Sequence, residues 1–187
     1  MLDTLREPLE EGAVTISRAG GAATYPARFV LVAAMNPCPC GHHGDPGAEC
    51  TCLPDAIERY RARISGPLLD RIDLRVHVPR IPYERLRSDD GREPSAVVRE
   101  RVCAARSRMS GRGVRTNAEL GIAGLKRDCR LDADADALLA DAMRMRRLSA
   151  RGSHRLLRVA RTAADLDGHD RIAADDVATA LLMRAVP

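Results

Sequence analysis

Aromatic side chains are scarce in this 187-residue chain. Phe29, Tyr25, Tyr60 and Tyr83 are all there are, and tryptophan is absent. The core must therefore be aliphatic, built from Ala, Leu, Val and Ile. Lysine is scarcer still: Lys126 is the only one, so Arg carries almost all of the positive charge. It lies in Gly-Leu-Lys-Arg-Asp, not in the Gly-Lys-Ser/Thr of a Walker A loop, so this chain alone cannot bind ATP by that device. No apolar run approaches the roughly 20 residues that cross a bilayer, so no membrane partner is expected. Leu2–Glu11 is studded with charge where a signal peptide would be basic and then apolar. These absences predict a soluble, cytoplasmic protein.

What is present is enough for one globular domain or two small ones, with 45% hydrophobic and 30% charged residues. The formal net charge of +4 does not by itself indicate nucleic acid, because a preference for Arg over Lys also follows from GC-rich coding. Leu2, Leu5 and Leu9 share one face of a short helix that Gly12 ends. Ala13–Ser17 and Ala23–Tyr25 predict a hairpin, with Arg18 at or near its tip. Phe29–Met35 is a continuous apolar run, the pattern of a central parallel strand buried on both faces. It stops at Asn36-Pro37, which places Asn36 at the carboxyl end of that strand, where open α/β sheets bind ligands.

Residues 37–54 read as an irregular loop, Asp55–Ile64 as a helix, and Ser65–Arg71 as a turn into a short helical stretch. Ile72–Val78 alternates apolar with polar, as a half-buried strand does. Pro79–Pro94, with its prolines and charges, reads as a linker. Helical periodicity follows: Ala96–Met109 capped by Ser95, then Asp132–Met145, Ser149–Leu166 and Ala173–Met183. The fold class is thus α/β followed by all-α.

The Cys-rich loop holds two close pairs, Cys38-Pro39-Cys40 and Cys50-Thr51-Cys52. Four thiolates can close a tetrahedral shell around a structural Zn²⁺, and clustered Cys in a reducing compartment favour metal over disulfide. One residue separates each pair where zinc knuckles usually have two. His42 or His43 could replace one Cys, and free thiols or a redox role stand as alternatives. Cys103 and Cys129, alone in helical segments, read as small core residues.

Three strings on separate elements resemble one family. Val32-Ala33-Ala34-Met35-Asn36-Pro37 looks like the sensor-1 strand of AAA+ ATPases. Ser65-Gly66-Pro67-Leu68-Leu69-Asp70-Arg71-Ile72-Asp73 looks like their arginine-finger segment. Leu148-Ser149-Ala150-Arg151, with Leu156–Arg161 behind it, looks like the sensor-2 helix. Together with Asn-Pro-Cys-Pro-Cys-Gly these are most similar to the magnesium-chelatase-like ComM/YifB family, over essentially the whole chain.

The resemblance implies the second half of an AAA+ core over residues 1–80, with a pre-sensor-1 hairpin and parallel strands. A linker over 81–94 and a helical lid over 95–187 would follow. It gives Asn36 the attacking water, Arg71 the ATP of a neighbouring subunit, with Asp70 orienting it or pairing across the subunit boundary, and Arg151 the γ-phosphate of its own subunit. Arg155 and Arg158 lie on the same helix and leave open which Arg meets nucleotide. Arg18 would touch DNA in the ring channel. Family members are hexameric, use ATP and Mg²⁺, and are associated with DNA branch migration in natural transformation. Their Walker A and B segments would precede this chain, which alone is expected neither to bind nor to hydrolyse ATP. The alternative is a non-catalytic, zinc-stabilised module that binds DNA or protein. A porphyrin-metallating chelatase subunit is disfavoured by the Cys-rich loop.

Overall fold

Leu2–Leu5 forms a 3₁₀ turn that runs into helix α1, Arg6–Glu11, and Gly12 terminates it as the apolar spacing predicts. Strands β1 (Ala13–Arg18) and β2 (Gly21–Pro26) follow as an antiparallel hairpin. Its register pairs Arg18 with Gly21, so Ala19 and Gly20 alone make the tip. The Thr15 and Thr24 hydroxyls meet across the strands at 2.9 Å, and the Ala27 N–H donates to the Gly12 carbonyl at 2.7 Å to close the base. The structure is a computed structural model that describes residues 2–88, 91, 93–146 and 148–185. The chain divides into two units, residues 1–72 and 73–187, and each is described by itself.

In the first unit, helix α2 (Pro54–Arg61) starts on a proline whose missing N–H costs nothing there. Helix α3 (Gly66–Leu69) is capped by Ser65, whose hydroxyl accepts from the Leu68 N–H at 3.3 Å. The buried parallel strand expected at Phe29–Met35 is not formed. The segment carries no ladder, and Val30 and Val32 are each 89% exposed. The strand expected at Ile72–Val78 is likewise unformed, with Leu74, Val76 and Val78 exposed. Both failures have one cause. A strand exists only where a neighbouring strand takes its N–H and C=O groups, and the hairpin is the sole sheet among the described residues.

The second unit is helical. A short α4 (Tyr83–Arg87) occupies part of the expected linker, of which Asp89, Asp90 and Arg92 lie outside the described residues. Then come α5 (Ser95–Gly111), α6 (Ile122–Asp128), α7 (Ala133–Arg146), α8 (Ala150–Asp167) and α9 (Ala174–Ala185). Ser95 is the first helical residue rather than the cap, which is Pro94 without a side-chain bond. Elsewhere side-chain caps mark the boundaries. The Asp132 carboxylate accepts from the Ala135 N–H at 2.7 Å, and Ser149 Oγ accepts from the Gly152 N–H at 3.1 Å. The α8 terminus needs a left-handed residue, supplied by Gly168 at φ +80°, and the His169 N–H returns to the Ala164 carbonyl at 2.7 Å.

The core gathers Leu120, Leu125, Leu139, Leu156, Ile172, Val177 and Leu181 around Ala135, Ala160, Ala164 and Ala180. Alanines let α8 and α9 approach closely, which is how a core forms without aromatics. Cys129 is buried as expected, but Cys103 is exposed. The buried residues of α5 are Ala105 and Met109, and position 103 lies on the opposite face.

Candidate metal centre and candidate nucleotide-sensing residues

The loop after Asn36 folds back on itself and brings four sulfurs together. Cys38 is fully buried, and Gly41, at φ +86°, allows the tight turn in which its N–H reaches the Cys38 carbonyl at 3.1 Å. The Sγ atoms of Cys38 and Cys40 are 3.3 Å apart, Cys38 and Cys50 3.8 Å, and Cys40 and Cys50 3.7 Å. Cys52 completes a group whose sulfurs all lie within 4.8 Å of one another. All four cysteines are unbridged. A tetrahedron of Zn–S bonds of about 2.3 Å has S···S edges of about 3.8 Å. The three closest spacings lie at or below that value and the whole group within 4.8 Å, so the cluster can hold a metal ion.

Backbone N–H groups aim at the sulfurs as they do at metal-bound thiolates. The His43 N–H donates to Cys38 Sγ at 3.4 Å. The His42 and Cys38 contacts hold the Cys40 thiol down to about 5, so it is a thiolate at neutral pH. Cys52 receives the Cys40 N–H, yet burial and the adjacent Cys40 and Cys38 sulfurs push it up to about 12. Four sulfurs this close cannot all be anionic without a cation among them. The converging donors are all cysteine sulfurs; His43 contributes its backbone N–H, and neither imidazole belongs to the group.

Asn36, two residues before Cys38, is exposed at the end of the unpaired apolar run. Arg18 is exposed at the end of β1, in the last paired position before the hairpin tip. Asp70 is the C-cap of α3. Arg71 follows it, donating through Nη1 to the Pro67 carbonyl at 2.7 Å and through Nη2 to Glu10, a partner not foreseen in the sequence.

In the second unit Arg151 is exposed in the first turn of α8. One turn on, Arg155 pairs with Asp73 at 3.1 Å. Arg158 is committed structurally, its Nε and Nη2 both donating to the Leu120 carbonyl at 3.0 and 2.7 Å. Arg161, 1% exposed, donates to the carbonyls of His169 and Asp170 and lies 3.2 Å from the buried Asp165 carboxylate. The same carboxylate takes Arg112 and, at 2.8 Å, the amide of buried Asn117. Sequence reasoning missed this network because Arg112 and Asp165 are 53 residues apart and each member, taken alone, looks like an ordinary solvated side chain. Lys126 is exposed in α6, on a helix rather than in a phosphate loop. A second cluster, Asp167, His169 and Asp176, has an ordinary use: Asp176 caps α9 by accepting the Ala173 N–H at 2.8 Å.

Two family profiles cover nearly the whole chain. Magnesium chelatase, subunit ChlI, matches residues 1–86, and the ChlI C-terminal domain matches residues 92–184. Competence protein ComM of Haemophilus influenzae is 45% identical over 188 residues, covering 100% of this chain and 36% of that protein. The chain belongs to the magnesium-chelatase-like ComM/YifB family. YifB of Escherichia coli is 42% identical over 99% of this chain and 36% of its own length. The chloroplast magnesium-chelatase subunit ChlI-2 of Arabidopsis thaliana is only 26% identical, over 95% of this chain and 37% of its own. The chain thus spans a little over a third of the length of these relatives. Among the described residues no helix is long and apolar enough to cross a membrane.

Proposed function

We propose that this chain supplies the carboxyl-terminal portion of a ComM/YifB-type AAA+ ATPase, a hexameric ring that remodels DNA by branch migration during natural transformation. The observation that carries the reading is the Phe29–Met35 segment. Seven apolar residues run without a ladder, and they end on Asn36. Backbone N–H and C=O groups in an apolar run are costly to leave unpaired once buried, so such a run finds its place inside a sheet. In this reading parallel strands from a Walker-bearing segment flank it, which completes the AAA+ core and sets Asn36 beside the ATP and Mg²⁺ that segment holds.

Each residue then has work suited to its chemistry. The Asn36 amide orients the attacking water. The Arg71 guanidinium, always charged and planar, reaches phosphoryl oxygens in the neighbouring subunit. Asp70 stands beside it at the subunit boundary. Arg151 takes the γ-phosphate of its own subunit; Arg158, spent on Leu120, is not available for that task. Arg18 meets the DNA backbone in the channel. Cys38, Cys40, Cys50 and Cys52 hold a structural Zn²⁺, which supplies a cross-link and no open position for catalysis. Alone, with no Walker lysine, the chain neither binds nor hydrolyses ATP.

A second reading has its own observation. The cysteine cluster is complete within the chain, as a free-standing zinc-stabilised DNA- or protein-binding module would require. Amide hydrogen exchange separates the two. Adding the Walker-bearing segment should slow exchange at residues 29–35 by at least an order of magnitude. Unchanged exchange, with salt-sensitive DNA binding by the chain alone, would favour the module.

A further inference from the structure

The segment that ends in Arg71 is gripped twice by the amino-terminal helical stretch. Asp3 accepts from the hydroxyl of Ser65, the residue that caps α3. Glu10 accepts from Nη2 of Arg71. Asp3 and Glu10 are seven residues apart, two helical turns, and so lie on one face. Between the two grips Leu68 is buried, which keeps α3 from rolling. The Arg71–Glu10 pair is itself well shielded, with side-chain exposures of 16% and 26%. Arg71 Nη1 is tied back to the Pro67 carbonyl at 2.7 Å. Each Nη therefore spends one N–H inside the chain and keeps a second.

A guanidinium on a long, flexible stem is a poor catalyst until its direction is fixed. Misplacement by about 1 Å can cost on the order of a hundredfold in rate. We propose that Glu10 is the positioning residue for Arg71, orienting its guanidinium for the phosphoryl group of a nucleotide held by a neighbouring subunit. This rests on the trans-acting role of Arg71 proposed above. Glu10 touches no nucleotide; it acts only through Arg71. Because Glu10 precedes the hairpin that carries Arg18, the same stretch that orients the guanidinium leads into the hairpin proposed to meet DNA.

The test is a double-mutant cycle in the complete ring protein, reading ATP turnover. Glu10→Gln keeps the shape and removes the charge. It should lower kcat by about tenfold or more while KM for ATP stays within about twofold. Glu10→Asp should recover part of that loss. In an Arg71→Ala background Glu10→Gln should cost nothing further, an outcome a general folding defect would not produce. Arginine side-chain NMR of the chain offers a readout independent of turnover. The Arg71 Nη protons should exchange slowly in the wild type and fast in Glu10→Gln, with the melting temperature little changed. If Arg71→Ala lowers kcat by about a thousandfold while Glu10→Gln matches wild type, the positioning role falls and the finger role stands. If Arg71→Ala leaves kcat unchanged, both fall.

Discussion

Removing the Asp165 carboxylate should be the most damaging single change in the helical unit. The side chain is fully buried and accepts from Arg112 and Asn117 while facing Arg161 at 3.2 Å. Asp165→Ala would leave Arg161, almost completely buried, with only two carbonyls to balance its charge. It would also leave the Asn117 amide with Thr162 as its remaining acceptor, at 3.1 Å. Breaking a buried ion pair from one side costs about 3–5 kcal/mol. In a unit spanning residues 73–187, unfolding entropy near 2.1 cal/mol/K per residue makes 1 kcal/mol worth about 4 °C. The melting temperature should therefore fall by about 12–20 °C, read by circular dichroism at 222 nm. Arg161→Met, which removes the charge and fills the space, should cost clearly less. A fall below about 4 °C for Asp165→Ala would refute the claim that this network holds α8 against α5 and the turn after α8.

Protein purified without added metal should carry about one zinc per chain by elemental analysis, and Cys38→Ser should carry little; four freely titratable thiols would contradict this. Burial pushes the Cys129 thiol up to about 11 from 9.0, which keeps it neutral in the fold. Its contribution is therefore complete below pH 9 and is lost as pH rises from 9 toward 11, up to about 2 kcal/mol in denaturant titrations after allowance for partial solvent access. Cys103 should react with thiol reagents in the native chain and Cys129 should not. Gly168→Ala, forcing a side chain into φ +80°, should destabilise by about 1 kcal/mol, seen as a lower urea midpoint at unchanged slope.

Elements whose signals are local were legible. The helices α7, α8 and α9 carry their own caps at Asp132, Ser149 and Asp176 and their own apolar periodicity, so their ends fell within two residues of expectation. The cysteine cluster was legible because its four thiols come in two tight pairs. Phe29–Met35 and Ile72–Val78 read as strands from composition, yet a strand is completed by a partner that no local pattern supplies. The same holds for contacts distant in sequence. Glu10 meets Arg71 from 61 residues away, and Arg112 meets Asp165 from 53. Cys103 differs from expectation for another reason: its helical phase relative to Ala105 and Met109 puts it on the outer face, which residue type alone does not reveal.

The central claim is that this chain holds residues that act on a nucleotide bound elsewhere. Steady-state ATP turnover tests it most directly, measured on the chain alone, on the Walker-bearing segment alone, and on the two combined. The account predicts no turnover from the chain, little from the segment, and restored turnover on mixing that Arg71→Ala lowers by about a thousandfold. Ordinary turnover by the isolated chain, or a mixture no more active than the segment by itself, would contradict it.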